Sequence, residues 1–202
     1  SYIPTPYASM TKWLGGGWEI GDGSLVMAYT NRGKSWLGSH AATVAHNAGF
    51  GVPYYSPELT EKQQSFRFDT LNGHFINTDI RRGKLENEEE YFEFLAKFND
   101  KNTVPFIVKT MKDLPNGLTT SVIESDLQSN ENIQFVVIDG FNLMDHGKGD
   151  RNGMTKTSRK LRQLWGKYQV HGLTIHQTPT AAEKDKKAKD DIEEIIEPPQ
   201  LT

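Results

Sequence analysis

The stretch from Leu25 to Leu37 constrains the fold of this chain most strongly. An apolar run at residues 25–27 stops before a turn that holds Gly33, Lys34 and Ser35, and apolar residues then recur at helical spacing at Leu37, Ala41, Val44 and Ala48. A strand, a loop and a helix in this order are typical of a phosphate-binding P-loop, because the backbone N–H groups of the loop and the helix N-terminus converge on an anion. The Lys34 ammonium would contact the β- and γ-phosphates of a nucleotide, and the Ser35 hydroxyl would ligate Mg²⁺.

The motif departs from the GxxxxGK(S/T) pattern at one position, where Ala28 replaces the first glycine. Alanine has the smallest side chain with a Cβ, and it fits if this position does not require a positive φ. A Gly-Lys-Ser tripeptide also occurs in ordinary turns that lead into helices. The flanking strand and helix favour the nucleotide site, in which the phosphates would contact Thr30, Asn31, Arg32, Gly33, Lys34, Ser35 and Trp36.

Length and composition limit the function classes. With 202 residues, the chain suits one α/β domain that buries about 70% of its unfolded surface. The formal net charge is −3 and the isoelectric point is near 6.1, so any nucleic-acid contact must come from a local basic patch. Because cysteine is absent, the chain has no disulfides and no thiolate metal sites. No secretory pattern and no apolar stretch of membrane-spanning length is visible, and the six histidines show no metal-ligand spacing.

The chain divides into three parts by composition. We expect an N-terminal segment at residues 1–24 that packs on the core, an ATPase-type core at residues 25–180, and a charged, disordered tail at residues 181–202. Further strands are predicted at residues 51–55, 104–108, 135–139 and 173–175, with helices between them. Helix starts are indicated by a capping box at Thr60 and Gln63 and by a cap at Thr119 or Thr120. This alternation predicts right-handed βαβ units and a mostly parallel sheet with helices on both faces.

Four polar residues lie at or just past the ends of predicted strands: Lys34, Glu58, Asp139 and Gln177. The carboxyl ends of parallel strands meet at one edge of a sheet, so these side chains should gather there. Asp139 follows four apolar residues, as in a Walker B strand whose carboxylate holds Mg²⁺. Its neighbour is Gly140 rather than glutamate, which makes Glu58 the candidate for orienting and deprotonating an attacking water. Glu58 could alternatively be an acidic residue that leads into the following helix.

An ordered set of short motifs covers nearly the whole chain. In sequence they are Ile3-Pro-Thr5, Gly15-Gly-Gly17, the P-loop, Ser56–Leu59, Arg67, Arg81–Leu85, Val137–Asp139 and Asn142–Met144. With its spacing, this set resembles the C-terminal ATPase domain of DnaB-type replicative helicases, and the phage-encoded members most. The resemblance implies an α/β fold of the RecA-like P-loop NTPase type. It also implies a hexameric ring that uses ATP and Mg²⁺ to move along single-stranded DNA in the cytoplasm of a bacterium or a phage-infected cell.

The resemblance also assigns roles by position. Lys34 and Ser35 would bind phosphate and Mg²⁺, Glu58 would be the catalytic glutamate, and Asp139 would be the Walker B aspartate. Arg67 matches the arginine on the helix after that glutamate, and Gln177 resembles a sensor that couples the γ-phosphate to the DNA loops. Asn142 stands where the family commonly has glutamine, and His176 stands where it has serine.

A basic cluster follows Asp139 and comprises Lys148, Arg151, Lys156, Arg159 and Lys160. Similar motors point a loop from this region at their central channel, so these residues are candidate contacts to single-stranded DNA. Such a loop would track phosphates with little sequence preference and with strong salt dependence. The alternative is a solvated basic face on the following helix.

Parts of the family pattern are not seen in this sequence. The primase-interacting domain, the closing strands and the arginine finger are missing, and the finger is expected beyond Thr202 in a longer parent protein. A fragment of this kind should be a weak ATPase by itself, and the resemblance implies a primase or a helicase loader as a partner of the parent. Two other functions stay open: a RecA/KaiC-like ATPase in recombination or regulation, and a nucleotide-gated oligomerisation module without chemistry.

Overall fold

The computed structural model describes residues 2–29, 32–101, 104–147 and 151–178. Its strands are β1 Tyr2–Ile3, β2 Trp18–Glu19, β3 Gly23–Tyr29, β4 Val52–Ser56, β5 Phe106–Thr110, β6 Phe135–Asp139 and β7 His171–Thr178. Its helices are α1 Ala8–Trp13, α2 Lys34–Asn47, α3 Glu61–Gly73, α4 Asn77–Arg82, α5 Glu88–Lys101, α6 Thr120–Ser129 and α7 Arg151–Tyr168. The predictions for Thr30, Asn31, Lys148 and the tail at 181–202 lie outside these described residues.

The main sheet has five parallel strands in the order β3-β7-β6-β4-β5, and β1 and β2 form a separate antiparallel pair. This confirms the predicted parallel α/β sheet. β6 is the middle strand, and all five of its residues are buried, as expected for the continuous apolar run that precedes Asp139. At the carboxyl ends of the strands, Asp139 of β6 is paired with Ile175 of β7, and Ala28 of β3 is paired with Gln177 of β7. The carboxyl ends of β3, β7 and β6 therefore lie side by side.

Helices cover the sheet on both faces, as predicted. One core packs α2 and α3 against the sheet and includes Ala41, Tyr54, Phe68, Val137 and Ile175. The other packs α6 and α7 against the opposite face and includes Tyr55, Ile123, Ile138, Leu164 and Trp165. The consecutive residues Tyr54 and Tyr55 belong to different cores because successive side chains of a strand point to opposite faces. In the described parts of the chain, no helix combines the length and the apolar character needed to cross a bilayer.

Local sequence signals locate the helix ends well. Thr60 and Gln63 form the predicted capping box, and the Thr119 side chain caps α6 by accepting a hydrogen bond from the Val122 N–H. Strand limits differ more: β3 begins at Gly23, and β5 begins at Phe106 rather than at Val104. β5 is an edge strand, as Pro105 indicated. The short elements β1, β2, α1 and α4 had no clear sequence signal.

The Trp165 ring of α7 packs against the backbone of β3 and β7 at two glycines. A Cβ added to Gly172 would lie 2.1 Å from Trp165 Cε2, and one added to Gly23 would lie 2.8 Å from Cδ1. Glycine is therefore required at both positions for the indole to contact the strands. This contact sets the distance between α7 and the sheet.

We predict that Gly172→Ala destabilises the protein, because the indole cannot move without displacing α7. Overpacking of this kind costs about 1–3 kcal/mol in the free energy of unfolding. Gly166 lies on the same helix and its added Cβ would meet no atom within 4 Å. The control Gly166→Ala should therefore stabilise by about 0.5–1 kcal/mol. Urea unfolding followed by circular dichroism measures both, and equal effects of the two substitutions would contradict the described packing.

Candidate nucleotide site

A cavity of about 460 Å³ opens at the carboxyl edge of the sheet. Its lining residues come from the P-loop, the turn after β4, helix α3 and the end of β7: Arg32, Gly33, Lys34, Ser35, Trp36, Glu58, Leu59, Arg67 and Gln177. The volume lies in the range of small-molecule sites. The structure therefore brings together the predicted nucleotide-site residues that it describes, and Asp139 joins them through its contact with Ser35.

The P-loop turn depends on Gly33, which precedes the first residue of α2. Its φ of 77° is in the left-handed region, where residues with a Cβ are strained. The Lys34 side chain is buried, and its Nζ donates a hydrogen bond to the Tyr29 carbonyl at the end of β3 at 2.6 Å. Lys34 is the first residue of α2, and an anion is favoured at the N-terminus of a helix.

Asp139 ends β6 and is almost fully buried, with 6% of its surface exposed. Its Oδ1 accepts a hydrogen bond from the Ser35 hydroxyl at 3.1 Å, and its Oδ2 accepts one from the Tyr54 hydroxyl at 2.9 Å. Burial raises the pKa of the Asp139 carboxyl, and the hydrogen bonds from Tyr54 and Ser35 act in the opposite direction. The adjacent oxygens of Ser35 and Asp139 are hard ligands of the kind that Mg²⁺ prefers, so these residues fit that ion.

Arg67 contributes a second cation from α3. Its guanidinium carbon lies 5.2 Å from the centre of the Trp36 ring, which packs as a cation–π partner. Its Nη1 is buried, and within the part of the chain that the structure describes it has no hydrogen-bond partner. A buried guanidinium donor that is left unpaired carries a desolvation cost that an anionic oxygen would remove. Arg67 and Lys34 therefore suit a polyphosphate in the cavity.

The end of β7 is connected to the loop that follows β6. The Gln177 backbone N–H donates to Asn142 Oδ1 at 3.2 Å, while the Gln177 residue lines the cavity. Its neighbour His176 is partly buried, and burial lowers the pKa of its imidazole. Gln177 therefore contacts both the cavity and, through Asn142, the segment that follows β6.

The structure corrects the prediction for the basic residues after Asp139. Helix α7 begins at Arg151, so the predicted loop is wrong at Arg151 and Lys156. Together with Arg159 and Lys160 they lie on one helix, as in the alternative of a solvated basic face. Gly153 and Thr157 face the buried side of α7, and the Thr157 hydroxyl donates to the Gly153 carbonyl at 3.1 Å, so the glycine is compatible with a helix. The basic side chains are exposed, and Lys160 Nζ lies 3.5 Å from a Glu124 carboxylate oxygen.

Sequence reasoning missed Tyr54, whose hydroxyl contacts the Asp139 carboxylate. Strand alternation was the available signal, because Tyr54 is two residues before Ser56 on the strand that leads to Glu58. It also missed Leu59 as a lining residue of the cavity.

The P-loop follows β3, and the buried Asp139 ends β6, which is separated from β3 by β7 in the parallel sheet. This arrangement defines a P-loop NTPase domain of the RecA type. Residues 3–196 match the protein-family model described as the DnaB-like helicase C terminal domain. The chain therefore belongs to the DnaB-like helicase C-terminal domain family.

Solved structures share this fold. A DnaB-like replicative helicase, described with its interactions with primase, matches with a TM-score of 0.72 at 17% identity, over 91% of this chain and 45% of that one. A second solved structure, described as an ATPase domain, matches with a TM-score of 0.71 at 17% identity, over 88% of this chain and 64% of that one. This chain thus spans 45% and 64% of those two proteins. A search of curated proteins found no match.

Proposed function

We propose that this chain is the ATP-hydrolysing motor domain of a hexameric replicative DNA helicase that unwinds duplex DNA by translocating on single-stranded DNA. The contact between Ser35 and Asp139 carries the proposal, because it joins the P-loop to the Walker B strand across 104 positions of sequence. Membership of the DnaB-like helicase family supports the same function.

In this proposal each residue of the cavity has a separate role in phosphoryl transfer. Lys34 and Arg67 bind the phosphates, and Ser35 and Asp139 hold Mg²⁺, which neutralises charge on the triphosphate when it is bound. Glu58 orients the attacking water and accepts its proton. Trp36 keeps the Arg67 guanidinium against the cavity by packing on its face.

The DNA-contacting surface in this proposal is the exposed face of α7. The bond between the Gln177 N–H and Asn142 connects the nucleotide cavity to the loop after β6, and that loop leads to α7. Arg151, Lys156 and Arg159 on this helix would contact DNA phosphates. The parent protein would act as a homo-hexamer in the cytoplasm, with a primase or a loader as partner. The single chain is expected to turn over ATP slowly.

We predict that Lys34→Ala strongly weakens nucleotide binding and leaves the fold intact. Loss of a charge-assisted hydrogen bond costs about 1.5–3 kcal/mol, which lowers affinity by at least roughly 10-fold. Fluorescence anisotropy of a labelled ATP measures the affinity, and circular dichroism checks the fold. The control Lys97→Ala removes an exposed lysine paired with Glu93 and should bind like the wild type. Retained ATP affinity in Lys34→Ala would refute the assignment.

We predict that Glu58→Gln binds ATP normally but hydrolyses it roughly 10²- to 10⁴-fold more slowly, because the amide cannot accept the proton of the water. Phosphate release measured with and without single-stranded DNA gives the rate. Glu61→Gln is the matched control, since Glu61 pairs with Lys112 on the exposed surface at the start of α3. Unchanged turnover in Glu58→Gln would exclude Glu58 as the base.

The same turnover assay separates the three functions. A helicase motor should hydrolyse ATP faster when single-stranded DNA is added. ATP binding without turnover in either condition would favour the oligomerisation module. Turnover without strand displacement by the full-length parent would favour a RecA/KaiC-like ATPase.

We predict that alanine at Arg151, Lys156 and Arg159 together weakens binding to single-stranded DNA at low salt. Three lost phosphate contacts should reduce the slope of log affinity against log salt by about 2, at about 0.7 per contact. Titrations of a labelled oligonucleotide at several salt concentrations measure the slope. A triple alanine variant at the exposed Lys62, Lys97 and Lys112 makes the same change in charge elsewhere, and an equal loss in that variant would contradict a specific role for α7.

A further inference from the structure

Tyr54 is a fully buried tyrosine with its hydroxyl against the carboxylate of the Walker B strand. It lies on β4, and its partner in the register is Val137 on β6. The Tyr54 hydroxyl donates to Asp139 Oδ2 at 2.9 Å, while Ser35 donates to Oδ1 at 3.1 Å. The two oxygens of Asp139 are therefore held from two sides. Ser35 belongs to the P-loop, whereas Tyr54 lies on β4.

A chain of buried hydrogen bonds runs from Gln64 through Ser39 to the Tyr54 hydroxyl, which donates to Asp139. Gln64 Nε2 on α3 donates to Ser39 Oγ on α2 at 2.8 Å, and Ser39 Oγ lies 3.3 Å from the Tyr54 hydroxyl oxygen. An ionised carboxylate only accepts hydrogen bonds, so the single Tyr54 proton points to Asp139 and the Ser39 proton points to Tyr54. Ser39, Tyr54 and Gln64 have no exposed surface. Bulk water therefore does not compete for these bonds.

We propose that Tyr54 is a positioning residue for the magnesium site. Its hydroxyl binds Oδ2 and restrains the Asp139 carboxylate, so that Oδ1, which accepts from Ser35, would remain available to hold the ion. Groups that orient a metal ligand in this way change metal affinity by roughly 10- to 100-fold when they are removed. This inference rests on the proposed function, because it assumes that Ser35 and Asp139 hold Mg²⁺.

The chain of donors also connects the magnesium carboxylate to α3. Gln64 is three residues before Arg67, and these two residues therefore lie on neighbouring positions of one helix. Arg67 faces the nucleotide cavity and Gln64 faces the buried chain. A movement of α3 would therefore displace the Arg67 guanidinium and, through Gln64, Ser39 and Tyr54, also the Asp139 carboxylate.

The next residue provides a matched control. Tyr55 is also fully buried, but it faces the other core, and its hydroxyl donates to Asp126 Oδ2 at 2.8 Å. Lys109 Nζ contacts the other oxygen of the same carboxylate at 2.7 Å. Tyr55→Phe therefore removes a buried hydroxyl bound to a carboxylate from the same strand, away from the nucleotide cavity.

The experiment compares Tyr54→Phe with Tyr55→Phe. Binding of a fluorescent ATP is titrated in EDTA and then at increasing Mg²⁺ concentration. For Tyr54→Phe we expect the Mg²⁺ concentration for half-maximal enhancement of binding to rise roughly 10- to 100-fold, with unchanged affinity in EDTA. Tyr55→Phe should match the wild type in both measurements. A purely structural role of the Tyr54 hydroxyl would instead lower the affinity in EDTA and leave the Mg²⁺ requirement unchanged.

The outcomes are distinguishable. If the wild type binds nucleotide without any effect of Mg²⁺, the proposed function fails, and this inference fails with it. If Mg²⁺ enhances binding and Tyr54→Phe responds like Tyr55→Phe, only this inference is overturned. If Tyr54→Phe does not fold, Tyr54→Met replaces it, because the flexible methionine side chain fills a core position and also lacks the hydroxyl. An unchanged Mg²⁺ requirement in folded Tyr54→Met would then overturn the inference.

Discussion

The hydrogen bond between Ser35 and Asp139 depends on how closely α2 lies on the sheet. β7 lies between the P-loop strand β3 and the strand β6 that ends in Asp139, so α2 must cross close to β7 for Ser35 in its first turn to contact Asp139. Small residues on the inner face of α2 make this crossing possible. A Cβ on Gly38 would lie 2.4 Å from Ile175 Cδ1, so no larger side chain fits without a shift. Ala41 and Ala42 continue this face and are fully buried.

The site therefore combines close packing with charges held out of water. Asp139 is buried, which raises the pKa of its carboxyl, and two hydroxyls stabilise its ionised form. Lys34 is buried beside a backbone carbonyl, and Arg67 has one nitrogen without a partner among the described residues. Two cationic side chains beside the cavity, one with an unpaired donor among the described residues, are complementary to a polyphosphate with its metal ion. Electrostatic contacts of this kind are strong where water is excluded.

Several elements could be predicted because their signals are local. The P-loop turn needs a glycine with positive φ followed by lysine and serine, and the capping box of α3 needs Thr60 and Gln63 three positions apart. β6 was recognisable because a strand buried on both faces is a continuous apolar run. The convergence of Lys34, Glu58 and Gln177 followed from the rule that ligand residues lie at the carboxyl ends of parallel strands. These residues therefore share one edge of the sheet because each of them follows a strand that runs parallel to the others.

Other features depend on contacts that no local pattern contains. The apolar run of β3 does not reveal that it is an edge strand, with Leu25 56% exposed and Met27 58% exposed. The glycine in the basic segment suggests a loop from sequence alone. In the structure Gly153 is instead a buried residue of α7, which begins at Arg151.

The sequence by itself determined the chemistry of the site: a lysine and a serine after one strand, a glutamate after the next, and an aspartate after a buried strand. Only the tertiary structure decided that Tyr54 completes the environment of Asp139, because that contact joins two strands across 85 positions. The physical reason is that side-chain chemistry and strand period are local properties of the chain. Which buried donor meets which acceptor is set by the packing of separate elements against one another.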